Sequence, residues 1–227
     1  MARLLALTGM RAEAKILVGP EVTVLCSGGN VAKLRADLSA LNESFDAVLS
    51  FGLAGALAPD LRPGDLLVGT VVLGRTWLPS DDTWTAKLIA GLRTRGTQVQ
   101  EAVVAGSDEA VLTVAAKDAL REATGATAVD MESHVAAEYA GARGLPFAVL
   151  RAVSDAVDRA LPPLAAKALG PDGCVDLRAV LGELRREPRQ LLQMAGTARD
   201  ARAAIVSLRR GRALLGPLVG FGSPHFG

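Results

Sequence analysis

Features that would commit this chain to a specialised class are scarce. Cysteine occurs only as Cys26 and Cys174, far apart and with no CxxC pair, which favours reduced thiols in a reducing cytoplasm over a disulfide framework. Histidine is equally rare, with His134 and His225 alone, so a His-rich metal site is excluded. No apolar run reaches the roughly 18 residues needed to span a bilayer. Met1-Ala2-Arg3 leads directly into Leu4 to Leu7, a run shorter than a signal core and without a small-residue cleavage site after it. A soluble, cytoplasmic protein is the expectation. The turn Cys26-Ser27-Gly28-Gly29-Asn30 is not GxGxxG, which removes a dinucleotide-binding reading. Internal repeats are absent, and no linker divides the first 160 residues.

What is present is length and apolar content. The chain has 227 residues, 50% of them hydrophobic, enough for a substantial core. The net charge of +1 conceals an asymmetry: Glu183 to Arg212 holds eight arginines against three acids, leaving residues 1–182 at about −4. The body is therefore no obvious nucleic-acid surface, and none is expected as a partner.

Strands and helices alternate along the sequence. Strands are expected at Arg3 to Leu7, Glu21 to Leu25, Asp46 to Ser50, Leu66 to Leu73, Glu101 to Ala105, Thr127 to Val129 and Phe147 to Val153. Helices are expected from Gly9 onward, at Val31 to Leu41, Trp84 to Arg93, Ala115 to Ala123, and from Glu132 to about Ala142. Phe51 to Leu57 reads as a glycine-bearing loop and Arg75 to Asp82 as an exposed one. Several strands lack polar alternation, which implies a sheet covered on both faces. The fold class that follows is α/β, three-layer αβα around a central, largely parallel mixed sheet. Residues 1–160 would form the core, and 161–227 a C-terminal helical extension of the same domain, Arg-rich and partly apolar.

Two acids stand out, Glu132 at the mouth of a helix and Asp155 at the end of an apolar strand. Strand ends in such sheets meet at the ligand crevice, and a buried carboxyl there can serve as a general acid; Ser154 is its natural hydrogen-bond partner. The structural alternative for Asp155 is to cap the following segment. Glu132 could simply answer the helix dipole, and Glu13 could lie on a surface helix. Ser27 to Asn30 could present N–H groups to an anion or be a plain turn.

Six pieces occur in a telling order: Gly9-Met10-Arg11-Ala12-Glu13, Ser27-Gly28-Gly29, Gly52-Leu53-Ala54-Gly55, Gly106-Ser107-Asp108, Val129-Asp130-Met131-Glu132 and Arg151-Ala152-Val153-Ser154-Asp155. With these the chain resembles the purine nucleoside phosphorylase and nucleosidase superfamily, in particular its methylthioadenosine/adenosylhomocysteine nucleosidase branch. Within it, Ser-Gly-Gly-Asn, Phe-Gly-Leu-Ala-Gly and Asp-Met-Glu-Ser look most like the hopanoid-associated phosphorylases, which remove adenine from adenosylhopane. The resemblance implies an enzyme that cleaves the N-ribosidic bond of a purine nucleoside and works as a homodimer; no metal or organic cofactor is implied by it. It assigns Asp155 to protonating the leaving base, and Glu132, Met131 and Met10 to the ribose. Ser154, Val111, Leu112 and Ala110 would line the base pocket, and Glu13 would activate water. A phosphate site would draw on Arg11, Gly28, Gly29 and Gly52, with inorganic phosphate as co-substrate. Ser50-Phe51-Gly52 lacks the Arg that many phosphorylases place before this glycine, and Ala110 replaces an aromatic usual in the nucleosidases. Water or phosphate as nucleophile stays open.

The tail shows helical patterns at Val175 to Arg186 and Arg189 to Arg210, after breaks at Pro162-Pro163 and Gly170-Pro171. Its arginines, with Leu191, Leu192, Met194, Ile205, Val206 and Leu208, suit either packing on the domain or a second subunit, or a peripheral membrane contact.

Overall fold

The computed structural model describes residues 2–94, 96–162, 173–174 and 190–222. Its strands are β1 (Leu4–Thr8), β2 (Val22–Cys26), β3 (Ala47–Ala56), β4 (Leu66–Leu73), β5 (Trp77–Pro79), β6 (Val99–Gly106), β7 (Ala128–Asp130) and β8 (Phe147–Asp155). The helices are α1 (Arg11–Leu17), α2 (Val31–Ser39), α3 (Asp82–Arg93), α4 (Val114–Thr124), α5 (Ser133–Gly141) and α6 (Gln190–Leu215). The second tail pattern is thus a helix, while Val175 to Arg186 lies outside the described residues.

β1, β3 and β8 read as unbroken apolar runs because helices cover both of their faces. On one side Leu5, Leu7, Val149 and Val153 pack with Val31 and Leu34 of α2 and Val135 and Tyr139 of α5. On the other, Leu4, Ala6, Ala148 and Leu150 pack with Leu88 and Leu92 of α3 and with Ala204, Leu208 and Leu215 of α6. Each of those leucines contributes about 1.5–3 kcal/mol by leaving water. Ile205 and Leu214 of α6 pack against the same core while Val206 is exposed, and Val219 beyond the helix accepts a 2.8 Å hydrogen bond from the indole of Trp84. Among the described residues no helix is long and apolar enough to cross a membrane.

Parallel pairs join β1 to β2 and β3, β3 to β8, and β6 to β4 and β7. Antiparallel pairs join β3 to β7, and β4 to β5 and β8. The mixed α/β expectation holds, with a closure that hydrophobic patterning cannot disclose: β3, β7, β6, β4 and β8 return to β3, so the sheet curls on itself.

Three boundaries differ from the sequence reading. The stretch expected as a loop at Phe51 to Leu57 continues as β3, since its backbone pairs with β8 as far as Gly55. The expected loop at Arg75 to Asp82 contains β5, an edge strand against β4. The last strand runs on past Val153, so that Asp155 is the final residue of β8 rather than lying just past its end.

A bulge sets the direction of that last residue. Ala54 pairs with Val153 but Gly55 pairs with Asp155, so Ser154 has no partner of its own. Neighbouring side chains on a regular strand point to opposite faces. The extra residue breaks that alternation and lets Ser154 donate to its neighbour Asp155 at 2.6 Å.

Candidate active site

The C-terminal end of β8, the start of α1 and the start of α5 enclose a largely apolar cavity of about 210 Å³. Glu13, Met10, Gly29, Leu53, Gly55, Ala110, Val111, Met131, Glu132, Ser154, Asp155 and Leu161 are among its walls. Every acid and methionine assigned from the sequence is therefore brought to one place. Leu112, Arg11, Gly28 and Gly52 are not in that wall. Leu112 instead accepts the N–H of Leu161 at 2.8 Å, and the exposed Arg11 side chain reaches the Cys174 sulfur at 3.7 Å.

Glu13 is 2% exposed, so the surface-helix alternative is overturned. It occupies the third position of α1, from which its side chain turns back on the helix entry. Oε2 accepts the N–H groups of Gly9 and Met10, both at 2.8 Å, and Oε1 that of Leu53 at 2.9 Å. Burial pushes its carboxyl up to about 7, the charge of Glu132 adds to this, and Arg151 and the N–H bonds oppose it. Backbone must come close for this to work. A Cβ on Gly52 would lie 2.7 Å from Arg151 Nη1 and 2.8 Å from Glu13 Cδ, so glycine here is a matter of space.

Glu132 begins α5, yet its side chain makes no helix-capping bond; that task falls to Asp130, whose Oδ1 accepts the N–H of Ser133 at 2.9 Å. The Glu132 carboxylate instead faces the cavity, with Oε1 accepting from Ser27 Oγ at 2.9 Å and Oε2 lying 3.3 Å from Arg151 Nη1. Burial raises its pKa, Arg151 opposes that, and Asp130 adds to it. The Ser27 turn thus positions an acid.

Arg151 is the hub. It is the single charged residue on the α2/α5 face of β8 and is fully buried. Its Nε lies 2.7 Å from Asp130 Oδ2, Nη2 donates to Ser50 Oγ at 2.5 Å, and Nη1 donates to Leu53 O at 3.2 Å. Ser50, in the Ser50-Phe51-Gly52 stretch that lacks the phosphorylases' Arg, thus serves as an acceptor for this guanidinium.

Asp155 is 3% exposed. Ser154 holds Oδ1, and Lys117 of α4 holds Oδ2 at 2.5 Å. Lys117 is itself fully buried and also donates to Ala156 O at 2.8 Å and Arg159 O at 3.0 Å. Sequence reading missed it, because a lone lysine in Val-Ala-Ala-Lys-Asp-Ala-Leu-Arg-Glu looks like the solvated side of a surface helix.

The family model described as "Phosphorylase superfamily" matches residues 8–169. The chain belongs to the phosphorylase superfamily. A curated 5′-methylthioadenosine/S-adenosylhomocysteine nucleosidase from Actinobacillus succinogenes is 27% identical over 164 residues, covering 62% of this chain and 70% of that protein. Among solved structures, the same type of nucleosidase from Neisseria meningitidis, in complex with methylthio-immucillin-A, superposes with a TM-score of 0.71 at 16% identity, covering 96% of this chain and 99% of that one. Futalosine hydrolase of Helicobacter pylori gives 0.67 at 18% identity, over 93% and 97%.

Proposed function

We propose that this phosphorylase-superfamily chain hydrolyses the N-ribosidic bond of an adenine nucleoside, with water as the nucleophile. The observation that carries this reading is the seat of Glu13. Three backbone N–H groups that could bind a phosphate are occupied by its carboxylate, and among the described residues no lysine or arginine lines the cavity. A phosphate dianion would enter a pocket already walled by Glu13, Glu132, Asp130 and Asp155, beside an Arg151 guanidinium already paired with Asp130 and Glu132. A carboxyl with a pKa about 7 is instead suited to taking a proton from water near neutral pH.

In the proposed reaction the Glu132 carboxylate accepts the ribose hydroxyls, and its charge favours the oxocarbenium character that develops at the sugar. Met10 and Met131 wall that subsite and keep bulk water from it. Asp155, steadied by Ser154, faces the purine ring, where a proton delivered to N7 lets adenine leave neutral. Water then attacks C1′ and passes its proton to Glu13. Val111 and Ala110 flank the base. A homodimer and adenosylhopane as the physiological substrate, in hopanoid biosynthesis, complete the proposal; the apolar cavity wall and the small Ala110 suit an apolar 5′ substituent. Any membrane contact would fall to the exposed arginines of α6, because Ala204, Leu208 and Leu215 are packed on the core.

The test is release of the free purine base, adenine from adenosylhopane, methylthioadenosine and adenosylhomocysteine and hypoxanthine from futalosine, assayed in parallel. Preference for adenosylhopane is the expected result, and preference for methylthioadenosine or adenosylhomocysteine would make this a nucleosidase for soluble nucleosides. Asp155→Asn should abolish release while adenine still binds. Binding without turnover of any of the four by the wild type would identify a nucleoside-binding module and overturn the enzymatic reading.

A further inference from the structure

The mechanism above leaves Lys117 unused, although it is the cation closest to the proposed acid. Its side chain has no exposure, and its Nζ has three acceptors: Asp155 Oδ2 at 2.5 Å, Ala156 O at 2.8 Å and Arg159 O at 3.0 Å. An ammonium has three N–H donors, so each is engaged. On the other oxygen, Ser154 donates to Oδ1 at 2.6 Å. The carboxyl is held from both sides while still facing the cavity. Burying a lysine only to tie α4 to the loop after β8 would be an expensive tie, since two carbonyls and a carboxylate could be served by neutral donors without moving a full charge out of water.

We propose that Lys117 is the proton-storing and positioning partner of Asp155, and that the proton taken by the departing base originates on Lys117 Nζ. Drawn as an ion pair, the two groups hold one transferable proton, on nitrogen. Crossing the 2.5 Å contact, it breaks an Nζ–H bond and forms an Oδ2–H bond, giving an amine and a carboxylic acid with no change in net charge. As the C1′–N9 bond breaks and its electron pair stays with the purine, the carboxyl proton passes to N7. Lys117 is then left as an amine beside a carboxylate. The proton that water gives to Glu13 returns to solvent, and the pair recovers one through Asp155 once adenine has left the cavity. The sum is nucleoside plus water giving adenine plus the free sugar. This inference rests on the proposed role of Asp155.

Lys117→Met replaces the ammonium with an apolar side chain of similar length, and Asp155→Asn serves as the reference. The substrate is methylthioadenosine or adenosylhopane, whichever the wild type cleaves faster, together with the same nucleoside methylated at N7, whose base leaves neutral without a proton. Lys117→Met should lower kcat on the order of 10²- to 10³-fold with KM little changed, and should lose much less on the N7-methylated substrate. A fall of the same size on both substrates would mean a merely structural tie and overturn the proposal, as would retention of the wild-type rate when Asp155→Asn is inactive. Should Asp155→Asn keep its rate, the general-acid reading itself falls. If Lys117→Met does not fold, Lys117→Ala assayed with propylamine decides: recovery of rate with propylamine and none with propanol supports the proposal, and absence of recovery contradicts it.

Discussion

At the Asp155 end of the cavity one acid meets one buried ammonium and one hydroxyl, whereas at the Arg151 end Glu13, Asp130 and Glu132 share a single guanidinium. The first arrangement is locally balanced. In the second, acids exceed cations in a buried space, and one of the carboxyls, Glu13, is lifted to about 7. In the proposed mechanism the same side-chain chemistry is divided into different tasks by its partners: a proton-delivering carboxyl where the charge is matched, and an anionic, proton-accepting cluster where it is not.

The comparison is most severely strained by Arg151→Met. Removing the one cation leaves three buried acids uncompensated, and a loss of about 3–5 kcal/mol is expected, read as a lower urea midpoint. A change under about 1 kcal/mol would show that the cluster does not depend on its hub. Next in size is Glu13→Gln, which should retain the fold and nucleoside binding but lower kcat on the order of 10²-fold; steady-state kinetics would expose an unaltered rate. A smaller effect is the pH response. Glu13 accepts a proton only when ionised, so kcat/KM should fall on going below about pH 7, approaching tenfold per unit, and Glu13→Gln should flatten that limb. A wild-type profile level from pH 7 to 5 would remove Glu13 as base. The mildest change is Ser154→Ala, which frees Oδ1 of Asp155 while Lys117 still holds Oδ2; roughly a tenfold loss of kcat is expected from one lost hydrogen bond, and a loss as deep as that of Asp155→Asn would mean that Lys117 alone does not position the carboxyl.

The apolar strands were legible in the sequence because burial on both faces leaves an unbroken run, as in Leu4 to Leu7 and Phe147 to Val153. Met10, Glu13, Met131, Glu132, Ser154 and Asp155 were legible through ordered motifs, and the cavity gathers all six. The bulge at Ser154 and the closure of the sheet were not, since both depend on pairing register, which composition does not encode. Arg151 gave a signal that could have been used: a lone charge within a buried strand requires partners. Lys117 gave none, as its burial comes from α4 packing over the end of β8. Arg11 was offered as one part of a possible phosphate site; the first turn of α1 directs Glu13 inward and leaves Arg11 exposed.

The account turns on water at the Glu13 end, and oxygen labelling tests it most directly. In phosphate-free H₂¹⁸O, the wild-type protein should release adenine and a free sugar carrying ¹⁸O at C1, with a rate unchanged when phosphate is added. Adenine release that requires phosphate and yields a sugar 1-phosphate without label at C1 would contradict it.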